Sequence, residues 1–474
     1  MDSRKSSLES FDTAAHMIFD RDSDDTSRTT IMQSLTSKSK REYDPHEEDA
    51  PLLDELDQFE LIEEEEIYKH RSNRSSSFFR RLLIKPCCGC TKRSVIGGCC
   101  LLIILPILSF ILFCIFYFSP THLPSPVPVE SKVLSSSSAR LLTLNIFMRP
   151  PGVKNNADDY KDERLEYIIQ HVLPSYDIIT FQEAFAFANR RIDKLIRQAF
   201  DQGFYYQVAS PRHYPWELAG DGGLLLLSRF PIITSDRLEF PRGVHSDWLS
   251  FKGALHALVQ LNNQSLVHLY TTHTQASYDN GGTFNLEDTK VRLSQFAAVH
   301  KFIAETAKED RYPIVLMGDL NVDAAVHNAS IDTPSRASSI AYTMMMDVLR
   351  GKGVDLDQFG QSRRDGQKPS YAHPWRLDGL TDVAYDTLGH HPITFGDYRT
   401  LDNGTLVPAE VVLTSHNQLL TAQSIDRLLF ASRNKHEPIL PTQFAVEPFL
   451  VEKNTSNRYP FTQISGKYRK LWWI

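Results

Sequence analysis

Short apolar runs that end in polar residues recur along the last two-thirds of the chain. Their length of five to eight residues and their β-branched content are typical of buried strands. The runs are Leu141–Phe147, Asp177–Phe181, Gly223–Leu227, Ser265–Thr272, Pro313–Met317 and Ser424–Phe430. Helical periodicity occurs between them at Asp162–Val172 and Val291–Lys308. This alternation predicts an α/β fold in which two packed, mixed β-sheets are flanked by helices. Residues 331–395 have few periodic runs and are predicted to form a long insertion or loop set.

Another pattern is continuous rather than alternating. Val95–Phe118 has 24 residues and no charged side chain. At about 1.5 Å per residue, a helix of this length crosses a hydrocarbon core about 30 Å thick. The stretch begins too far from Met1 for a secretory signal peptide, and a buried core helix would not be apolar on every side. The sequence therefore predicts one transmembrane helix over residues 95–118.

Basic residues are concentrated before this helix. Five Lys or Arg residues lie between positions 80 and 93, and the first one after the helix is Lys132. By the positive-inside rule we expect a single-pass type II protein with a cytosolic N-terminus and a lumenal or extracellular C-terminal region. Glycosylation motifs on that far side predict a glycoprotein. They begin at Asn263, Asn328, Asn403 and Asn454.

The regions around the helix differ in composition. Residues 1–94 are rich in Ser and charged residues and are predicted to be a disordered cytosolic tail. Residues 119–138 form a Pro-rich linker, and residues 139–474 are predicted to be one catalytic domain. Glu48–Leu53 resembles an acidic dileucine signal that sorting adaptors would read, although a chance pair of leucines is the alternative. An endosomal or lysosomal location, or the plasma membrane, is expected.

Charge and cysteine usage narrow the class of protein further. The net charge of −7 lacks the positive field of a nucleic-acid-coating protein, so no nucleic-acid partner is expected. All six cysteines lie between positions 87 and 114, in or beside the apolar helix. They are predicted to be palmitoylated at the cytosolic face, the alternative being small apolar residues without a special role. The region after the helix has no cysteine and therefore no disulfide framework.

Polar residues with metal-binding or acid–base chemistry follow several of the predicted strands. Side chains at strand ends are held by a rigid scaffold and still reach solvent, which suits a functional site. Taken singly, each has an ordinary structural explanation, such as an Asx turn, a solvated carboxylate or a hydrogen-bonded histidine. They are Asn145, Glu183, His273, Asp319 and Asn321.

Taken in order, these strand ends resemble one known family. The series N, QE, TH, GDLN and SID is similar to the exonuclease–endonuclease–phosphatase superfamily, the DNase I-like fold. RHYPW at Arg212–Trp216, GDGGLLLLSRFPI, DWLSFKGALHA and THTQASY resemble its magnesium-dependent neutral sphingomyelinase branch. The resemblance covers residues 139–465. It implies a four-layered α/β sandwich that hydrolyses phosphoesters with Mg²⁺, or with Mn²⁺ as an alternative.

The resemblance also implies a role for each residue. Glu183 matches the principal metal ligand, with Asn145 beside it. Asp319 matches the residue that orients the attacking water, and Asn321 one that holds a phosphate oxygen. His273 matches the histidine that donates a hydrogen bond to the phosphoryl group. One or two carboxylates, with waters and substrate oxygens, are what Mg²⁺ requires.

Two further positions matter for the chemistry. Lys252 would add positive charge near the phosphate, or would be an ordinary surface lysine. Asp426 matches the aspartate that orients a catalytic histidine of a C-terminal Ser-Asp-His triplet. Where that triplet belongs, the chain reads Ser465-Gly466-Lys467. A different histidine could act as base, the C-terminal segment could be an alternative or misassembled end, or the protein could have lost turnover. The candidate bases are His390, His391 and His436.

The leading hypothesis is a membrane-anchored sphingomyelinase-type phospholipase C. It would hydrolyse sphingomyelin, or a related phosphosphingolipid, to ceramide and phosphocholine. The alternatives are another phosphodiesterase, phosphatase or nuclease of the same fold, and a catalytically impaired lipid-binding homologue. Trp216 and Trp248 would either reach into the membrane interface or pack in the core.

Overall fold

The computed structural model describes most of the chain from Lys92 onward. The described residues are 92–125, 138–153, 160–263, 265–277, 286–326, 335–354, 370–396, 398–400, 404, 406–408, 422–433, 439–447, 449–451, 462–463 and 469–473. Several predictions concern residues outside these ranges. They are the 1–91 part of the tail, the Glu48–Leu53 signal, most of the linker, His436, the sequons at Asn328, Asn403 and Asn454, and Ser465–Lys467. Asn263 is described and is exposed.

The described chain contains six α-helices and sixteen strands, numbered here in chain order. The helices are α1 Lys92–Phe118, α2 Lys161–Tyr167, α3 Arg191–Asp201, α4 Leu286–Ala307, α5 Ile340–Leu349 and α6 Val383–Leu388. The strands are β1 Arg140–Asn145, β2 Ile178–Gln182, β3 Tyr206–Ala209, β4 Leu225–Ser228, β5 Ile232–Glu239, β6 Gly253–Gln260, β7 Leu266–His273, β8 Ile314–Asp319, β9 Thr381–Asp382, β10 Tyr398–Thr400, β11 Leu406–Pro408, β12 Asp426–Ala431, β13 Gln443–Glu447, β14 Leu450–Val451, β15 Thr462–Gln463 and β16 Arg469–Trp473.

Two six-stranded sheets form the framework. The first has the order β13-β16-β1-β2-β4-β3, and the second β5-β6-β7-β8-β12-β9. Each sheet has a parallel pair, β1 with β2 and β7 with β8, among antiparallel neighbours. The prediction of mixed sheets is therefore confirmed. Each parallel pair brings two strand ends together at one edge, which is where the predicted polar residues lie.

The sheets pack face to face over an apolar core. Leu141 and Leu226 of the first sheet belong to the same buried cluster as Leu255 and Val315 of the second. The outer face of the first sheet packs on α2 and α3, for example through Leu195. The outer face of the second sheet packs on α4 and α5. The order of layers is helix, sheet, sheet, helix, so each sheet buries both faces.

The predicted loop region between 331 and 395 contains regular structure, which corrects the sequence interpretation. Helix α5 lies inside it and buries Met344, Met345 and Met346 against the second sheet. Ser339 caps this helix by accepting a hydrogen bond from Tyr342 N at 3.1 Å. Three consecutive methionines give neither a helical nor a strand periodicity, so the sequence pattern did not predict this helix. The methionines are buried because the second sheet and helix α4 pack around them.

Among the described helices, only α1 is long and apolar enough to cross a membrane. The qualifying stretch is Cys100–Phe118, of 19 residues. From Leu101 to Phe113 its side chains are exposed. Cys114 and Phe118, by contrast, are buried. The end of the helix therefore packs against protein, whereas the preceding turns do not.

Gly318, within the GDLN motif, is required by close strand packing. A Cβ at this position would lie 2.1 Å from the Thr272 carbonyl oxygen on the neighbouring strand β7. We expect Gly318→Ala to lower the free energy of unfolding by about 3 kcal/mol, because backbone cannot move aside as a side-chain tip can. The measurement is the thermal midpoint of the purified full chain. Gly379→Ala is the matched control, since no atom lies within 4 Å of its Cβ position. If both substitutions lowered the thermal midpoint equally, close strand packing would not be the reason for Gly318.

Candidate active site

The predicted site residues meet at one edge of the two sheets. Asn145 ends β1 and pairs in register with Gln182, directly before Glu183. His273 ends β7 and is in register with Asp319 at the end of β8. Asp426, which begins the antiparallel strand β12, lies opposite Asp319.

Asn145 connects the two sheets at this edge. Its side-chain Nδ2 donates to Glu183 Oε1 at 3.1 Å and to Asp319 Oδ2 at 3.0 Å. Its Oδ1 accepts from Phe147 N at 3.1 Å. One amide thus holds together two carboxylates that come from different sheets. In this arrangement the nitrogen, not the oxygen, of Asn145 faces the carboxylates.

Glu183 has a backbone conformation that few residues adopt. Its φ is 51°, in the left-handed region. The turn is held by hydrogen bonds from Met148 N to Glu183 O at 2.9 Å and from Ala184 N to Gly223 O at 2.7 Å. A Cβ on Gly223 would lie 3.2 Å from Glu183 Cα. This left-handed backbone places the carboxylate at the end of the sheet. Backbone strain of this kind is typical of functional positions.

Asp221 of the GDGG motif supports this turn, a role that sequence reasoning missed. It is buried, and its carboxylate accepts from Ala186 N at 2.9 Å and from Gly223 N at 3.0 Å. Burial raises the pKa of Asp221, although these hydrogen bonds oppose the shift. The sequence does contain a signal for this role of Asp221, because an acidic residue between glycines shortly before a strand is typical of a tight, hydrogen-bonded turn.

Asp319 is buried next to a second carboxylate. It is only 4% exposed, and Asp426 lies opposite it on β12. Burial, followed by the charge of Asp426, raises the pKa of Asp319 to about 7, against the hydrogen bond from Asn145. Its Oδ1 accepts from Asn321 N at 3.0 Å. Crowded carboxylates of this kind favour a bound cation.

His273 and Lys252 form a second buried cluster beside Asp319. Lys252 Nζ lies 3.2 Å from His273 Nε2, 2.8 Å from Thr274 O and 2.7 Å from Asp247 Oδ2. An ammonium group only donates, so His273 Nε2 accepts and the ring proton is on Nδ1. Burial and the charge of Lys252 hold the pKa of His273 well below its usual range. The alternative of a surface lysine is wrong, because Lys252 is 6% exposed.

Asn321 completes the GDLN turn. Its φ is 48°, a left-handed value that asparagine tolerates better than most residues. Its Nδ2 donates to Thr274 O at 2.8 Å, the same carbonyl that Lys252 contacts. Thr274 in turn donates through Oγ1 to Leu320 O at 2.6 Å. Asn321 therefore links the end of β8 to the end of β7.

Gln182 is a further residue that sequence reasoning did not identify. It is fully buried between the sheets, and its Nε2 donates to Thr143 Oγ1 and Thr271 Oγ1, both at 3.0 Å. Thr143 is on β1 and Thr271 is on β7, so this amide fixes the distance between the sheets directly behind Glu183. A polar residue within an apolar strand was the available signal.

The candidate bases of the sequence analysis do not join the site within the described residues. His391 is buried, bonds to Ser338 Oγ at 2.9 Å, and has its pKa lowered to about 4, first by burial and then by Arg427. His390 is half-buried, and its Nδ1 lies 3.0 Å from Leu388 O. His436 and Ser465–Lys467 lie outside the described residues. Among the described residues, neither His390 nor His391 therefore contacts the strand-end carboxylates.

The donor set fits a hard cation. Glu183 and Asp319 supply carboxylate oxygens, whereas Asn145 turns its amide nitrogen toward them and holds them in place. No group of three or more His, Cys, Asp or Glu residues that could hold a metal occurs in the described part of the chain. Mg²⁺ does not need one, because it binds through one or two carboxylates and keeps several waters. The negative charge around Asp319 favours such a cation.

Comparison with known proteins identifies the family to which this chain belongs. Residues 142–398 match the endonuclease/exonuclease/phosphatase family. A sphingomyelinase of Dictyostelium discoideum is 26% identical over an alignment that covers 70% of this chain and 98% of that protein. A phospholipase C of Staphylococcus aureus is 27% identical over 205 residues, or 41% of this chain and 60% of that protein. A crystal structure of S. aureus beta toxin with bound magnesium ions has 19% identity and a TM-score of 0.43, covering 71% of this chain and 99% of that chain.

Metal binding can be measured without activity. We expect millimolar Mg²⁺ to raise the thermal midpoint of the purified full chain by roughly 3 °C, since a ligand that binds only the folded state stabilises it. Glu183→Gln should abolish this increase, because it removes a charged ligand. Glu166→Gln is the matched control, since Glu166 is half-exposed and pairs with Lys194 on the surface. An increase that persists in Glu183→Gln would place the cation elsewhere.

Proposed function

Since this chain belongs to the endonuclease/exonuclease/phosphatase family and has sphingomyelinases among its relatives, we propose that it is a membrane-anchored sphingomyelinase. It would hydrolyse sphingomyelin, or a related phosphosphingolipid, to ceramide and phosphocholine. The observation that carries this proposal is the convergence of Asn145, Glu183, His273 and Asp319 at one edge of the sandwich. Hydrolysis of a phosphodiester requires charge neutralisation, an oriented water and stabilisation of the leaving oxygen.

Glu183 is the residue that would hold Mg²⁺, and Asn145 would position its carboxylate through Nδ2. A bound cation would neutralise phosphoryl charge as a Lewis acid. The left-handed turn of Glu183, supported by Gly223 and Asp221, keeps its carboxylate at the rim without requiring a flexible loop. Preorganisation of this kind avoids a reorganisation cost during the reaction.

Asp319 is assigned to orienting the attacking water. Each of its carboxylate oxygens accepts one hydrogen bond, Oδ1 from Asn321 N and Oδ2 from Asn145 Nδ2, and each keeps a lone pair for a water proton. This Oδ2 lies 3.9 Å from His273 Nε2. Asp319 and His273 therefore lie side by side at adjacent strand ends.

His273 is assigned to donation toward the phosphoryl oxygen. Its Nε2 accepts from Lys252, so the donor is Nδ1–H, a buried atom with no hydrogen-bond partner among the described residues. Lys252 is itself held by Asp247, and its charge is partly compensated. We assign Lys252 to fixing the tautomer of His273 as well as to supplying positive charge. Asn321 would contact a phosphate oxygen through its remaining amide proton.

A second candidate function rests on the sequence near the C-terminus. Because Ser465-Gly466-Lys467 replaces the Ser-Asp-His triplet, the chain could bind its lipid without efficient turnover. Asp426 would then retain its position opposite Asp319 without a histidine to orient. Lipid binding that persists in EDTA with no product release would favour this function over hydrolysis.

The direct test is phosphocholine release from sphingomyelin vesicles by the full chain with Mg²⁺. We expect release that EDTA stops and that Glu183→Ala lowers by at least about 10²-fold, because the charge on the phosphoryl group is no longer neutralised. Glu166→Ala should retain the wild-type rate. No release by the wild-type chain in any condition would contradict the proposed hydrolysis.

The missing histidine can be restored. If only the general base is lacking, the double substitution Gly466→Asp with Lys467→His should raise the rate of phosphocholine release by about 10²–10⁴-fold. Gly466→Asp alone is the control, since it supplies no imidazole. Equal rates for the single and double variants would show that another group already accepts the proton.

A further inference from the structure

Two loops next to the candidate site form one rigid unit, here called the loop pair. It consists of residues 214–220, between β3 and β4, and residues 245–250, between β5 and β6. Gly220 N donates to Leu249 O at 2.8 Å, and Phe251 N donates to Gly220 O at 3.1 Å. The two segments are therefore joined by backbone hydrogen bonds, although about 30 residues of sequence separate them.

The loop pair exposes large apolar side chains. Trp216 is 62% exposed, Leu218 69%, Trp248 47% and Leu249 58%. Core packing, the alternative for both tryptophans, is therefore wrong. Contiguous exposed apolar side chains of this size are typical of an interaction surface.

The exposed side chains are held in place by specific contacts. The Arg242 guanidinium lies 4.3 Å from the centre of the Trp248 ring and donates to Glu217 O at 2.5 Å, so it spans the two loops. Leu218 has a φ of 56°, a left-handed value that is an outlier for a bulky residue. The backbone thus accepts strain at a residue whose side chain is left in solvent, which points to a function for that side chain.

The end of the apolar helix α1 packs directly against the loop pair. The Phe118 ring lies 6.3 Å from the ring of Tyr214, and Tyr214 stacks on Trp216 at 4.6 Å with an interplanar angle of 3°. Phe118 also contacts Phe187 edge-on at 4.8 Å. Trp216 is therefore two ring contacts from the last residue of α1, and the apolar surface continues from the helix onto the domain.

Arg190 fixes the helix end from a second side. It donates to Ser119 O at 3.0 Å, and its guanidinium lies 4.9 Å from the centre of the Phe116 ring. The contacts of Phe118 and Arg190 limit how far the domain can rotate about the end of α1. A membrane crossed by α1 would therefore meet the domain at a defined face.

We propose that the loop pair is a membrane-contact surface, which inserts Trp216, Leu218, Trp248 and Leu249 into the leaflet where α1 ends. The proposal rests on the proposed membrane anchoring. Tryptophan is enriched at the level of the lipid headgroups, where its ring is apolar and its N–H remains hydrated. A lipid surface, rather than a second copy of the chain, is the occupant because the surface is continuous with a helix long enough to span a bilayer.

This placement has a consequence for substrate access. Asp247, next to Trp248, accepts a hydrogen bond from Lys252, which in turn contacts His273. The membrane-contact surface and the candidate site therefore lie side by side. The lipids within reach are those of the leaflet that receives the loop pair, so the enzyme acts on the bilayer that anchors it.

Tryptophan fluorescence of the full chain in vesicles tests the proposal. The chain has five tryptophans, of which Trp216 and Trp248 are in the loop pair. Lipids brominated near the headgroup should quench the wild-type emission, and Trp216→Phe with Trp248→Phe should remove most of that quenching. Trp375→Phe is the matched control and should leave it unchanged, since Trp375 packs on His300 beside α4. Quenching that survives the double substitution overturns the proposal.

A second pair of variants leaves all tryptophans in place. Leu218→Ser with Leu249→Ser should lower the quenching by more than half, because the apolar area that drives insertion is reduced. Ile233→Ser, at a residue that is 53% exposed at the start of β5, should have no effect. Quenching equal to that of the wild-type chain in Leu218→Ser with Leu249→Ser would overturn the proposal. A loop pair that is buried in a dimer of the detergent-solubilised chain would overturn it as well.

The same measurements distinguish this proposal from the proposed hydrolysis. Phosphocholine release without quenching refutes the membrane-contact surface alone, and quenching without release refutes the proposed hydrolysis alone.

Discussion

The amide nitrogen of Asn145 is shared by two carboxylates that belong to different sheets, and the candidate site depends on this contact. Glu183 follows a strand of the first sheet, and Asp319 ends a strand of the second. Neither sheet contains a complete site. The site exists only because an apolar core holds the two sheets face to face, so packing far from the chemistry determines the distance between the carboxylates.

The polar groups at this edge are costly for folding. Asp319 is buried next to another acid, Lys252 is buried with its charge, and Glu183 and Asn321 have left-handed backbone conformations. Buried charge and backbone strain each lower stability, and both are offset by the hydrogen bonds of Gln182, Asp221 and Thr274 behind them. The supporting residues are therefore as important to the site as the residues that would touch substrate.

The membrane-contact surface follows the same principle on the outside of the domain. Exposed tryptophan and leucine side chains are unfavourable in water, yet the loop pair presents them on a braced backbone with Arg242 between them. The order of elements explains why. The chain leaves an apolar helix, enters the domain beside the loop pair, and places its candidate site next to that loop pair.

Much of the organisation could be predicted from local sequence patterns. The six predicted strands, the helical stretches at 162–172 and 291–308, and the apolar helix at 95–118 all correspond to observed elements, because strand and helix periodicities are properties of neighbouring residues. The sequence patterns did not predict, among others, helices α3 and α5 and strands β3, β5 and β6. Some of these elements depend on partners that are distant in the sequence. Strand β5, for example, has mostly exposed side chains, so no apolar pattern marks it, and it is a strand because its backbone pairs with β6.

The sequence by itself determined which chemical groups stand at the strand ends, and through the order of its motifs it indicated the family. Only the tertiary structure decided which of those groups meet. Asn145 and Asp319 are 174 residues apart and share a hydrogen bond. Lys252 could have been a surface residue and is buried against His273, whereas Trp216 and Trp248 could have been core residues and are exposed. The physical reason is that a residue's type is local, but its burial and its partners are set by sheet pairing and layer packing, which join segments far apart in the chain.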